Sequence, residues 1–98
     1  MAEIIWTEPA VNDLDLIAEY IAVSNLVAAK KLVKEVFAKV EILEEYPKSG
    51  KSVSELPSLN YRELYVKPCR IFYKSEDNKV FILHVMRHEA DLRRFLLD

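Results

Sequence analysis

Residues 61–87 read YRELYVKPCRIFYKSEDNKVFILHVMR, and the fold turns on how this stretch divides. Three runs, 61–66, 69–74 and 80–87, are rich in β-branched and aromatic residues and have strand length. Between them stand Lys67-Pro68 and Glu76-Asp77-Asn78-Lys79, which are turn-forming chemistry. Strands joined by links this short pair antiparallel, so the stretch predicts a three-strand meander. The last run, from Val80 to Met86, barely alternates between apolar and polar residues. It reads as a central strand covered on both faces.

Upstream, the period lengthens to that of a helix. Glu3-Ile4-Ile5-Trp6 is a short first strand. Thr7 can cap a helix that tolerates Pro9 in its first turn, where the missing N–H costs nothing. The helix runs to about Val23, with Ala10, Leu14, Ile17 and Ile21 on one stripe, flanked by Val11 and Ala18. Asp13 is the exception, a charge on the edge of the apolar arc. Ser24-Asn25 breaks the chain and caps a second helix to about Tyr46. Its stripe is Ala29, Leu32, Val33, Val36, Phe37, Val40 and Leu43. Two amphipathic helices with so short a link form an antiparallel hairpin, which should join Leu14, Ile17 and Ile21 to Val33, Val36 and Val40. Residues 47–59 hold two prolines, four serines and the only glycine, and read as a loop. The order is β-α-α-β-β-β: an α+β fold with a helical hairpin packed on one face of a small antiparallel sheet. Residues 89–97 add a short C-terminal helix or a frayed tail.

The 98 residues fit one domain, 1–98. A single cysteine, Cys69, excludes an internal disulfide, and the N-terminus lacks the basic and apolar regions of a signal peptide. No apolar run approaches the roughly 18 residues of a membrane span, so the expected compartment is the cytoplasm. Net charge is −2. Residues 1–59 carry 6 Lys/Arg against 10 Asp/Glu, and residues 60–98 carry 8 against 6. Proteins that track phosphate backbones usually have a clear basic excess, so no direct sequence-specific nucleic-acid binding is expected.

The chemistry-bearing residues are few. There is no phosphate loop, no nucleophile elbow and no metal-ligand spacing, and no cofactor is expected. Cys69 reads as a small core residue and His84, mid-strand, as a hydrogen-bonded structural histidine. His88 stands at a strand end, where it is either structural or within reach of solvent for proton transfer. Arg62 and Arg70 lie on strands that should be neighbours, and arginines among apolar residues are costly unless paired. They either form an anion site or pair with a carboxylate such as Asp13, Glu63 or Asp91.

Four stretches resemble the ParE family of the ParE/RelE toxin superfamily. They are Trp6-Thr7-Glu8-Pro9-Ala10 with Asp13-Leu14, Ile17 and Tyr20-Ile21; Tyr46-Pro47-Lys48-Ser49-Gly50; Tyr61-Arg62-Glu63-Leu64 with Pro68-Cys69-Arg70-Ile71-Phe72-Tyr73; and 80–85 with His88 and Asp91. The resemblance spans nearly the whole chain, in order. It implies a toxin that poisons DNA gyrase by protein–protein binding and is neutralised by a ParD-like antitoxin. The RelE relatives share the fold but cut messenger RNA on the ribosome. Cys69 departs from the aromatic residue that often precedes the strand arginine in the family. The acidic balance and the lack of a tyrosine in the last residues depart from the RelE nucleases.

Cleavage by 2′-OH attack needs a general base, a general acid and cations for the phosphate. Only Arg62, Arg70, Arg87 and His88, with Tyr65 or Tyr73, could supply them, and they are the catalytic set of the alternative ribonuclease reading. The favoured reading is a non-enzymatic gyrase inhibitor. On that reading Arg93, Arg94 and Leu97 are candidate target-binding residues, and the off-stripe Val27 and Ile42 are candidate antitoxin-binding residues.

Overall fold

The computed structural model describes residues 1–87. The proposed terminal helix over 89–97 lies outside the described residues, and so do His88, Asp91, Arg93, Arg94 and Leu97. The chain begins with β1 (Glu3–Trp6), α1 (Glu8–Ala22), α2 (Leu26–Glu41) and a 3₁₀ turn (Ile42–Glu44). It continues with β2 (Lys51–Ser52), β3 (Tyr61–Val66), β4 (Cys69–Glu76) and β5 (Lys79–Arg87).

The caps behave as their chemistry demands. The Thr7 hydroxyl accepts from Ala10 N–H and donates to the Ile82 carbonyl at 2.6 Å, so one side chain starts α1 and ties it to β5. The Asn25 side chain accepts from Ala28 N–H at 3.0 Å and starts α2. Asp77 and Asn78 take positive φ, 51° and 61°, which the tight hairpin between β4 and β5 requires.

Among the described residues the sheet has five strands, in the order β1-β5-β4-β3-β2. The meander β3-β4-β5 is antiparallel as expected, and β5 is interior. Two features go beyond the sequence reading. β2 adds a two-residue edge strand. β1 lies parallel to β5, from Glu3 opposite Lys79 to Trp6 opposite Ile82, so the sheet is mixed. A four-residue strand carries no turn that reports its direction. The direction is fixed downstream, where Thr7 N–H and its hydroxyl both reach Ile82 and lay α1 back across β5.

The main core lies between the hairpin and one face of the sheet. Leu14, Leu32, Val36, Val40 and Leu43 meet Leu64, Val66, Cys69, Ile71, Tyr73, Val80, Ile82 and Val85. Ile17, Ile21 and Val33 pack against this cluster half-buried, and Val36 is fully buried. Cys69 is buried in the core as expected. Phe37 and Val11 belong to the predicted stripes but are exposed. The apolar arc of each helix is wider than the surface the sheet offers, and Phe37 instead sets its ring 4.8 Å from that of Trp6.

The anomalous Asp13 is explained by β5. Phe72 is opposite His84 and Tyr73 is opposite Ile82, which leaves Leu83 unmatched as a bulge. Val85 N–H donates to Asp13 Oδ2 at 3.0 Å, and His84 Nδ1 lies 3.1 Å from the same oxygen. Asp13 therefore closes the bulge from α1, and His84 has the structural role its position suggested.

Candidate functional site

The other face of the sheet is covered by the loop after β2. Val53 is buried there against Phe72 and Met86, with Leu56 and Tyr61 packed around them. Arg70 is on β4 and shares this face with Phe72, since residues two apart on a strand point the same way. Its guanidinium carbon stands 4.8 Å from the Phe72 ring centroid. It donates to Glu63 through Nε at 3.2 Å and Nη2 at 2.9 Å. It also donates to Glu55 through Nη1 at 2.8 Å and Nη2 at 2.8 Å. The arginine thus grips one carboxylate on β3 and another on the loop, each with two hydrogen bonds.

These contacts shift both partners. The Arg70 hydrogen bonds hold the Glu55 carboxyl down to about 2, well below the usual carboxylate range, against the opposing effect of burial. The same bonds, to Glu55 and then Glu63, push the Arg70 pKa further up. Among the described residues, one positive and two negative charges meet here. Glu63 was among the carboxylates anticipated for the strand arginines; Glu55 was not, because a loop residue has no periodicity to place it.

Arg62 is not part of this cluster. It pairs across with Tyr73, on the helix-side face, and donates from Nη1 to the Gly50 carbonyl at 2.8 Å. Gly50 N–H donates to the Tyr73 hydroxyl at 2.8 Å. A Cβ at position 50 would stand 2.6 Å from that hydroxyl and 2.8 Å from the Glu63 carbonyl oxygen, so only glycine allows this approach. Burial raises the Tyr73 pKa, while Gly50 and Arg62 oppose the shift.

Arg87, exposed at the end of β5, has its guanidinium carbon 5.6 Å from the Tyr20 ring centroid. It lies opposite Cys69, on the face away from Arg70. Four residues of strand and two strand spacings separate Arg62 from Arg87, about 16 Å. The structure therefore does not bring the three described arginines of the nuclease set together, and His88 lies outside the described residues.

The hairpin carries a different kind of surface. A concavity of about 440 Å³ runs between α1 and α2, floored by Ala18, Ala22, Leu26, Ala29 and Val33 and rimmed by Glu19, Lys30 and Lys34. Its tip is apolar and exposed: Val23 is 89% exposed, Val27 76% and Leu26 56%. Val27 sits beside this groove. Ile42, also exposed, lies 15 residues further along, about 22 Å at the helical rise, so the two candidate contact residues are not brought together. The small residues Ala18 and Ala22, four apart, are what opens the groove. Their spacing was visible, but a small residue on a stripe reads first as core.

Among the described residues, no three His, Cys, Asp or Glu side chains are grouped to hold a metal. No described helix is long and apolar enough to cross a membrane.

Comparison with known proteins agrees with this architecture. The family described as the ParE toxin of the type II toxin–antitoxin system parDE matches residues 4–92. Toxin RelE2 of Caulobacter vibrioides is 33% identical over 93 residues, covering 94% of this chain and all of that protein. A solved structure of the chromosomal ParDE toxin–antitoxin system from P. aeruginosa superimposes with a TM-score of 0.78 at 26% identity. It covers 91% of this chain and 98% of its own. The chain belongs to the ParE toxin family of type II toxin–antitoxin systems.

Proposed function

We propose that this toxin acts in the cytoplasm by binding a protein target, DNA gyrase, that it performs no catalysis of its own, and that a ParD-like antitoxin silences it. The observation that carries the non-catalytic reading is the state of Arg70. A nuclease would aim a strand arginine at the phosphate of its substrate. Here four of its N–H contacts go to Glu55 and Glu63. A phosphate arriving at Arg70 meets the two carboxylates that already hold it. Arg62 and Arg87 face elsewhere, so the cations for a pentavalent phosphate are dispersed. Inhibition by binding requires no such constellation, only a surface that favours one state of the target enzyme.

The antitoxin is assigned to the groove between α1 and α2. An apolar floor of small side chains suits an amphipathic helix laid into it. Lys30 and Lys34 on its rim favour a segment with acidic flanking residues. Val27 extends this surface at the tip of the hairpin.

Gyrase supercoiling and DNA-cleavage assays with the purified protein, run beside an assay of mRNA cleavage on ribosomes, test the proposal. Loss of supercoiling with accumulation of cleaved DNA, reversed by the antitoxin, is expected. Ribosome-dependent mRNA cutting with gyrase unaffected would replace it by the ribonuclease reading.

A further inference from the structure

A concavity of about 260 Å³ opens at the β2–β3 edge of the sheet. Lys48, Ser52, Asn60, Arg62 and Ser75 line it, and among the described residues no carboxylate does. In a chain of net charge −2, two cations thus line one recess with no described acid beside them. The ParE reading makes no use of it.

Arg62 is held ready rather than consumed there. It is half-buried, and among the described residues its one protein hydrogen bond runs from Nη1 to the Gly50 carbonyl. That carbonyl is itself fixed, because Gly50 N–H is bonded to the buried Tyr73 hydroxyl. The guanidinium is therefore oriented by a rigid backbone while Nε and Nη2 keep N–H groups to offer. Lys48 adds a mobile point charge from the exposed turn after the second helix. Ser52, Ser75 and Asn60, which also line the recess, carry neutral donors. A planar fork, a point charge and several neutral donors match the several oxygens of a tetrahedral oxyanion.

We infer that this recess is an anion site that binds the phosphate group of a small molecule, with Arg62 and Lys48 as its two charged ligands. Pro57 and Leu59 also line the recess, and an organic group attached to the phosphate packs against them. The site is independent of the toxin reading. It shares no residue with the Arg70 cluster or the hairpin groove.

Calorimetric titration of the full chain with inorganic phosphate and with AMP, at fixed ionic strength, tests the inference. Saturable one-to-one binding is expected, weakened at least about tenfold by R62Q and by K48Q, as loss of one charge-assisted contact requires. Lys48 is exposed, so K48Q keeps the fold and decides the outcome even if R62Q does not fold. Tighter binding of AMP than of phosphate would extend the site to the organic group. Equal binding would confine it to phosphate, and either result supports an anion site. No saturable binding, or K48Q binding as tightly as the wild type, would overturn it.

Discussion

On one face of the sheet, the helices and the 3₁₀ turn bury Leu14, Val36, Val40 and Leu43 against Ile71, Val80 and Ile82, with the Asp13–His84 contact where α1 meets β5. On the opposite face, a loop is held over Phe72 and Met86 by Arg70, with Glu55 and Glu63 gripped on either side. The first face is stabilised by area, which accumulates residue by residue. The second depends on a few polar contacts, each of which leaves a charge stranded when its partner is removed. The two faces should therefore respond differently to mutation and to pH.

Truncation in the area-driven face should have the largest effect. Leu43 is fully buried, and Leu43→Ala should cost about 4 kcal/mol in urea unfolding. A cost under about 1 kcal/mol would mean that the helix-side core is not the main store of stability. Next comes the clasp. Arg70→Ala should cost about 3 kcal/mol, because it leaves two carboxylates near each other and poorly solvated. Adding Glu55→Gln and Glu63→Gln to that variant should recover much of the loss. Non-recovery would show that Arg70 stabilises through its packing on Phe72.

The third effect depends on pH. The Glu55 carboxyl is depressed to about 2 in the folded chain, below its ordinary value of 4.5. The unfolded chain therefore binds the proton more readily, and stability rises with pH through this window. The contribution is complete above about 4.5 and is lost as pH falls toward 2. At a side chain 19% exposed, it is on the order of 1–2 kcal/mol after solvent screening. Urea midpoints between pH 2 and 6 should show this slope, and Glu55→Gln should flatten it. The smallest effect on stability belongs to the hairpin tip. Val27→Asp should change stability by under about 0.5 kcal/mol, since Val27 packs on little. It should nonetheless weaken antitoxin binding about tenfold in a titration, by placing a charge on the apolar contact. Unchanged binding would move the antitoxin away from the tip.

The two faces also differ in how far they could be read in the sequence. The helix-side core was legible because periodic stripes encode it: Leu14, Val36 and Val40 lie where their spacing puts them. The meander was legible from turn residues. The parallel pairing of β1 was not, because strand direction there is set by Thr7 reaching Ile82, a contact 75 residues apart in sequence. The clasp was half-legible. A strand arginine demands a carboxylate, and Glu63 was a candidate by adjacency. Glu55 lies in an aperiodic loop that only the fold carries over Arg70. Phe37 shows the opposite failure, an apolar residue in perfect register that the sheet is too narrow to cover. The candidate site was the least legible part, since groove and clasp depend on which surfaces the sheet leaves open.

If the toxin acts by binding, Arg70 serves as a structural clasp and not as a contact to the target. The direct measurement is gyrase supercoiling inhibition by the triple variant Glu55→Gln, Glu63→Gln, Arg70→Met, with circular dichroism confirming its fold. Removing all three charges together avoids stranding any one of them. The triple variant should fold and inhibit gyrase within about threefold of the wild type, under about 1 kcal/mol of binding energy. A folded triple variant that has lost inhibition would contradict it, because the clasp would then be acting on the target.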